Sequence, residues 1–91
     1  MGRVECCCLA GHELYFNSLD HRPPHLHVRC PGAWEIRVDL LRTTRGSLEW
    51  TPCWPRSFAG PSGSVRRQLA RLVHDHREAL LLEWEKKVCP E

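Results

Sequence analysis

Two short stretches constrain this chain more than anything else in it. His25-Leu26-His27-Val28-Arg29-Cys30 alternates apolar and polar residues, and Trp34-Glu35-Ile36-Arg37-Val38-Asp39-Leu40 does the same. A period of two is that of a half-buried strand. Pro31, Gly32 and Ala33 stand between them, so the pair predicts a β-hairpin. A three-residue loop sets Cys30 opposite Trp34, Val28 opposite Ile36 and Leu26 opposite Val38, all on one apolar face. The other face then pairs Arg29 with Glu35, His27 with Arg37 and His25 with Asp39. A two-residue loop would mix the faces, because a slip of one residue turns a strand over.

Further elements extend this hairpin. Glu13-Leu14-Tyr15-Phe16-Asn17 is rich in strand formers and stops at the polar turn Asn17-Ser18-Leu19-Asp20. Arg22-Pro23-Pro24 is a stiff connector, since proline fixes its own backbone and pushes the preceding residue towards extended geometry. Ser47-Leu48-Glu49-Trp50 is a candidate fourth strand, and residues 51–64, with three prolines and two glycines, read as a loop. From Ser64 the period becomes helical. Ser62 or Ser64 can cap, and Val65, Leu69, Leu72, Val73, His76, Leu80 and Trp84 fall on one stripe, with His76 near its middle. The helix should end near Lys86-Lys87, cations suited to the negative end of its dipole. The expected fold is therefore α+β: an antiparallel meander of three or four strands packed against one long C-terminal helix. Residues 1–12 read as a loosely ordered lead-in and residues 13–91 as a single domain.

Composition narrows the classes of function. With 42% hydrophobic and 26% charged residues, disorder, collagen and coiled coil fall away. Thirteen Lys+Arg against eleven Asp+Glu give a net charge of +2, too small to announce a nucleic-acid or membrane-surface protein. Six cysteines and six histidines stand out. Cys6, Cys7 and Cys8 are consecutive, whereas Cys30, Cys53 and Cys89 stand alone, so no Cys-x-x-Cys knuckle exists to present thiolates to zinc. Neither a secretory signal nor a membrane span is visible. The expectation is a cytoplasmic protein with free thiols.

The string His21-Arg22-Pro23-Pro24-His25-Leu26-His27-Val28, preceded by Tyr15-Phe16-Asn17-Ser18 and followed by the helical His76-Arg77-Glu78-Ala79-Leu80-Leu81-Leu82-Glu83-Trp84, resembles the signature of the domain of unknown function 4160 family, a group of small bacterial proteins. The resemblance runs from about Leu14 to Trp84. The cysteine run, Cys53 and Trp54-Pro55 have no counterpart in that pattern, and Leu82 replaces an acid often found there. The resemblance implies a component of a two-gene, toxin–antitoxin-like module that pairs with a cognate protein.

Three functional readings follow. His25 and His27 leave one strand face and can serve as general base and acid in RNA cleavage, with Arg29 or Arg37 steadying the phosphate. Alternatively, His21, His25 and His27 converge as three neutral imidazoles suited to zinc, with Asp39 accepting from the other ring nitrogen of His25. The cofactor is zinc on that reading and none on the others. The third reading is a non-catalytic module that binds a cognate small protein or a second copy of itself through Trp50 and Trp54. Trp84 is expected in the core. His76, on the apolar stripe, is expected to be a buried structural histidine separate from His25 and His27.

Overall fold

The computed structural model describes residues 2–88; Cys89 and its neighbours to the C-terminus lie outside the described residues. Five antiparallel strands form one sheet in simple meander order: β1 (Gly2–Arg3), β2 (Glu13–Phe16), β3 (His25–Cys30), β4 (Trp34–Asp39) and β5 (Trp50–Trp54). A single helix, α1 (Gly63–Lys87), follows. The expected α+β arrangement is present, with one strand more than the highest count anticipated.

The β3–β4 hairpin has the register that the three-residue loop requires: Cys30 pairs with Trp34, Val28 with Ile36, Leu26 with Val38, Arg29 with Glu35, His27 with Arg37 and His25 with Asp39. Gly32 takes φ +78° in the turn, a left-handed geometry that glycine adopts at no steric cost. On the apolar face Leu26, Val28, Ile36 and Val38 are completely buried, joined by Leu14 and Phe16 from β2. Helix α1 covers this face with Leu69, Val73, Leu80 and Trp84. Ser62 caps the helix by accepting from the Val65 amide at 3.2 Å, satisfying one of the four amides that a first turn leaves without partners. Lys86 and Lys87 close it as expected. Arg77 donates from Nη2 to the Thr43 carbonyl, tying the middle of the helix to the turn after β4.

Two expectations are corrected. The lead-in is not loose: Gly2 and Arg3 pair with Phe16 and Tyr15, and Val4 is buried in the core while its amide donates to the Leu14 carbonyl. Two residues are too few to display a period, so this strand left no pattern to read. The fourth segment is also displaced. Ser47 makes only an isolated bridge to Thr44, and the strand occupies residues 50–54, sharing only Trp50 with the expected strand and otherwise inside the span expected to be a loop. Pro52 is tolerated there because β5 is an edge strand and the ladder shifts register between Glu35 and Ile36.

Candidate functional site

The site lies on the sheet face opposite the helix. Alternation sends Tyr15, His25, His27, Glu35 and Arg37 to that side, and the connection between β2 and β3 folds back over it. Within this connection the Asn17 amide donates to Asp20 Oδ2 at 3.0 Å, and the Asp20 amide donates to the Asn17 carbonyl at 2.9 Å. This tight turn sets the Asp20 carboxylate above the two strand histidines. His25 and His27 are therefore only 7% and 9% exposed, not displayed to solvent as a bare strand face would leave them.

The hydrogen bonds fix how each imidazole is turned. His25 Nδ1 lies 2.9 Å from the Pro23 carbonyl, and His27 Nδ1 lies 3.3 Å from Glu35 Oε2. Both partners accept. The neutral His25 ring therefore carries its proton on Nδ1 and a lone pair on Nε2, whereas His27 faces a carboxylate at each ring nitrogen, Glu35 at Nδ1 and Asp20 at Nε2, and donates to one of them in either neutral tautomer. Both Nε2 atoms point at Asp20. His27 Nε2 is 3.1 Å from both carboxylate oxygens. His25 Nε2 is 3.3 Å from Oδ1, yet it is buried and has no hydrogen-bond partner among the described residues. The ligand atoms of Asp20, His25 and His27 lie within 4.8 Å of one another. Burial works against the charge of Asp20, but its hydrogen bonds with His27 and the Asn17 amide, together with the nearby histidines, outweigh burial and hold its carboxyl below the usual range.

A supporting layer holds this group. Tyr15 O–H donates to Glu35 Oε2 at 2.5 Å, and its ring stacks on His27 with centroids 5.0 Å apart. Burial, and then that bond to the Glu35 carboxylate, push the phenol upwards and keep it a donor. The His25 and His27 rings meet edge to face at 5.2 Å. On its other side His27 shares a second cluster with Glu35 and Cys53, where burial and the Glu35 charge raise the Cys53 thiol and disfavour a thiolate. A cleft of about 360 Å³ opens beside Asp20 and His25, lined also by His21, Arg22, Arg37, Arg42 and Trp50.

Several predicted roles change in this light. His21 is exposed on the cleft wall and is not part of the cluster; Asp20, its neighbour, takes the third position. Asp39 does not accept from His25, because its carboxylate caps the amides of Leu41 and Arg42 at 2.9 and 2.8 Å. Arg29 pairs with Glu13 at 2.6 Å and lies over the Tyr15 ring, away from the cleft, and does not engage Glu35. Arg37 does line the cleft. Trp50 is half-buried against Phe58 and under Arg66, and Trp54 is 42% exposed at the sheet edge. Trp84 is in the core as expected. His76 stays apart from His25 and His27, but it is half-buried rather than buried and lies beside Cys6 and Cys7.

Asp20, Glu35 and Tyr15 escaped sequence reasoning. The β2–β3 register, which pairs Tyr15 with His27, depends on a long connection whose path no periodicity reports. The fold and site together define an α+β domain of one antiparallel meander and one covering helix, with a buried His–Asp–His group on the sheet's uncovered face. Comparisons of the chain with protein-family models, with curated proteins and with solved structures returned no match.

Proposed function

We propose that this protein is a metal-binding domain that holds a zinc-class divalent ion through Nε2 of His25, Nε2 of His27 and a carboxylate oxygen of Asp20. One observation carries the reading: the Nε2 atoms of both imidazoles converge on one carboxylate, and that of His25, whose Nδ1–H is committed to the Pro23 carbonyl, is buried there with no hydrogen-bond partner among the described residues. The buried lone pair of His25 and the Asp20 anion repel, and a cation between them removes the conflict. Ligands at about 2.0–2.1 Å from a tetrahedral ion are about 3.3–3.4 Å from each other, close to the 3.1 and 3.3 Å separations of the two Nε2 atoms from Asp20. Glu35 behind His27 and the Pro23 carbonyl behind His25 supply the acceptors that orient metal-bound imidazoles and raise their basicity. Three protein ligands leave a fourth position for water or a substrate atom, and the arginines of the cleft favour an anionic one.

RNA cleavage by the same histidines has weaker support. His25 Nε2 is buried and cannot reach a substrate proton while Asp20 covers it, and Arg29 is committed to Glu13. The test is metal analysis of purified protein with melting curves before and after chelation. At a free ion concentration of a hundred Kd, binding stabilises by about 2.7 kcal/mol, which for a domain of this size is a shift of roughly 10–20 °C. Asp20→Asn and His25→Gln should abolish it. Failure to retain metal, with a melting curve indifferent to chelator, would mean that protons are the only cations the cluster takes.

A further inference from the structure

The helix-covered side of the sheet holds a second group of ligand atoms, contributed by residues 70 positions apart in sequence. Beyond β1 the chain runs along α1, and Glu83 pins it there: its Oε1 accepts from the Glu5 amide at 2.9 Å and its Oε2 from the Cys6 amide at 2.7 Å. This clamp sets Cys6 and Cys7 against the helix, both partly buried, with their sulfurs 3.6 Å apart. Across from them is His76, the one residue inside α1 with non-helical backbone angles, φ −115° and ψ 18°. Its imidazole makes no hydrogen bond among the described residues. Local departures from α geometry inside a helix have identifiable causes and recur at functional sites.

We infer that Cys6, Cys7 and His76 form a thiolate–imidazole metal site, distinct from the Asp20 cluster, that takes a thiophilic ion such as zinc. The ligand atoms of all three lie within 4.8 Å of one another. Two sulfurs at about 2.3 Å from a tetrahedral ion are about 3.8 Å apart, close to the separation found, so the pair needs little movement to chelate. A sulfur-rich set selects zinc or copper(I) over the hard cations that a carboxylate site admits. Cys8, next in sequence, is exposed and stands outside the group. Without the ion both thiols are held protonated: burial raises them, that of Cys7 to about 12, and the Glu83 charge adds to the effect. Binding therefore forms two metal–sulfur bonds and releases two protons to solvent per ion, with no change of oxidation state. The fourth position is left to solvent.

Cobalt(II) is the probe, because thiolate ligands give it a near-ultraviolet charge-transfer band that nitrogen and oxygen ligands do not. Titration of the reduced protein should raise this band to saturation with one ion bound at this site, reached by one equivalent of added cobalt in Asp20→Asn and by no more than two in the wild type. The band should vanish in Cys6→Ser/Cys7→Ser and persist in both Cys8→Ser and Asp20→Asn, while His76→Gln should weaken cobalt at this site at least tenfold. Circular dichroism of each variant checks that it has folded. Absence of the band in the wild-type protein, its survival in the double serine variant, or unchanged affinity in a folded His76→Gln would overturn the site. Because the Asp20 cluster carries no sulfur in its ligand set, its failure to bind metal would leave this band untouched.

Discussion

Glu83→Gln is the most exacting single test of how the N-terminal segment is held. The substitution keeps the side-chain volume and removes one charge. At present Oε2 accepts from the Cys6 amide at 2.7 Å, and Oε1 accepts from the Glu5 amide at 2.9 Å and from Lys87 Nζ at 3.1 Å. A glutamine has one carbonyl oxygen, so one amide must face an NH₂ donor. Losing the charge-assisted bond to the half-buried Cys6 amide costs about 1.5–3 kcal/mol, whereas the exposed Glu5 amide turns to water at little cost. The i, i+4 pair with Lys87 adds about 0.3–0.5 kcal/mol. The sum, about 2–3.5 kcal/mol, is a large part of the roughly 5–13 kcal/mol that a chain of this length has in total. Burial opposes the charge of Glu83, yet the two amides and Lys87 outweigh it, so the carboxyl sits below its usual range. A depressed folded-state pKa contributes stability that is fully present above the unfolded value of about 4.3 and is lost as pH falls through the folded value. The gap between wild type and variant should therefore be full at neutral pH and close on acidification. Denaturant unfolding measures the total, and amide exchange locates it: Cys6 should lose protection by roughly 30- to 300-fold. If Cys6 exchanges as slowly in the variant as in the wild type, and the midpoint does not move, the clamp is not what holds this segment.

Other expectations follow from the same physics. Ile36→Ala, at a completely buried position of the central hairpin, should lose about 2–5 kcal/mol in denaturant unfolding. Gly60→Ala should destabilise more than Gly32→Ala. Both have positive φ, but a Cβ at Gly60 would sit 2.6 Å from the Trp50 ring and closer still to Arg66, whereas one at Gly32 meets nothing within 4 Å; equal melting temperatures would contradict this. Glu35→Gln should leave the three metal ligands in place and weaken zinc by about 10- to 100-fold, read by competition with a chelating dye. Arg29→Ala should leave the denaturant midpoint nearly unmoved, since its pair with Glu13 is about one-third exposed on both sides and screened by solvent.

The legible parts of this fold were those with a repeating pattern. The hairpin register followed from two alternating segments and a three-residue loop, and the helix followed from its stripe and its serine cap. The β5 strand was missed because Pro52 reads as a breaker unless one knows that the strand is an edge with a register shift. The site was half legible. Alternation placed His25 and His27 on the face away from the helix, but Asp20 lies in a connection whose landing point is set by tertiary packing, so neighbouring His21 looked like the third ligand. The Cys6–Cys7–His76 group was invisible for a stronger reason. Ligand spacing in sequence reveals a metal site only when one local element supplies the ligands; here the Glu83 clamp brings together two ends of the chain.

Because the covering helix comes last, order of synthesis matters. Strands β2 to β5 pair only with sequential neighbours and can assemble once residue 54 has left the ribosome, but Leu26, Val28, Ile36 and Val38 then face water. At roughly 5–20 residues per second the thirty-three residues from the end of β5 to the end of α1 take about two to seven seconds to translate. For that interval the nascent chain carries a bare apolar sheet with two open edges, the condition in which strands join other chains. Slow codons within the helix would lengthen that exposure, and a chaperone that recognises flat apolar surface would have its main opportunity there.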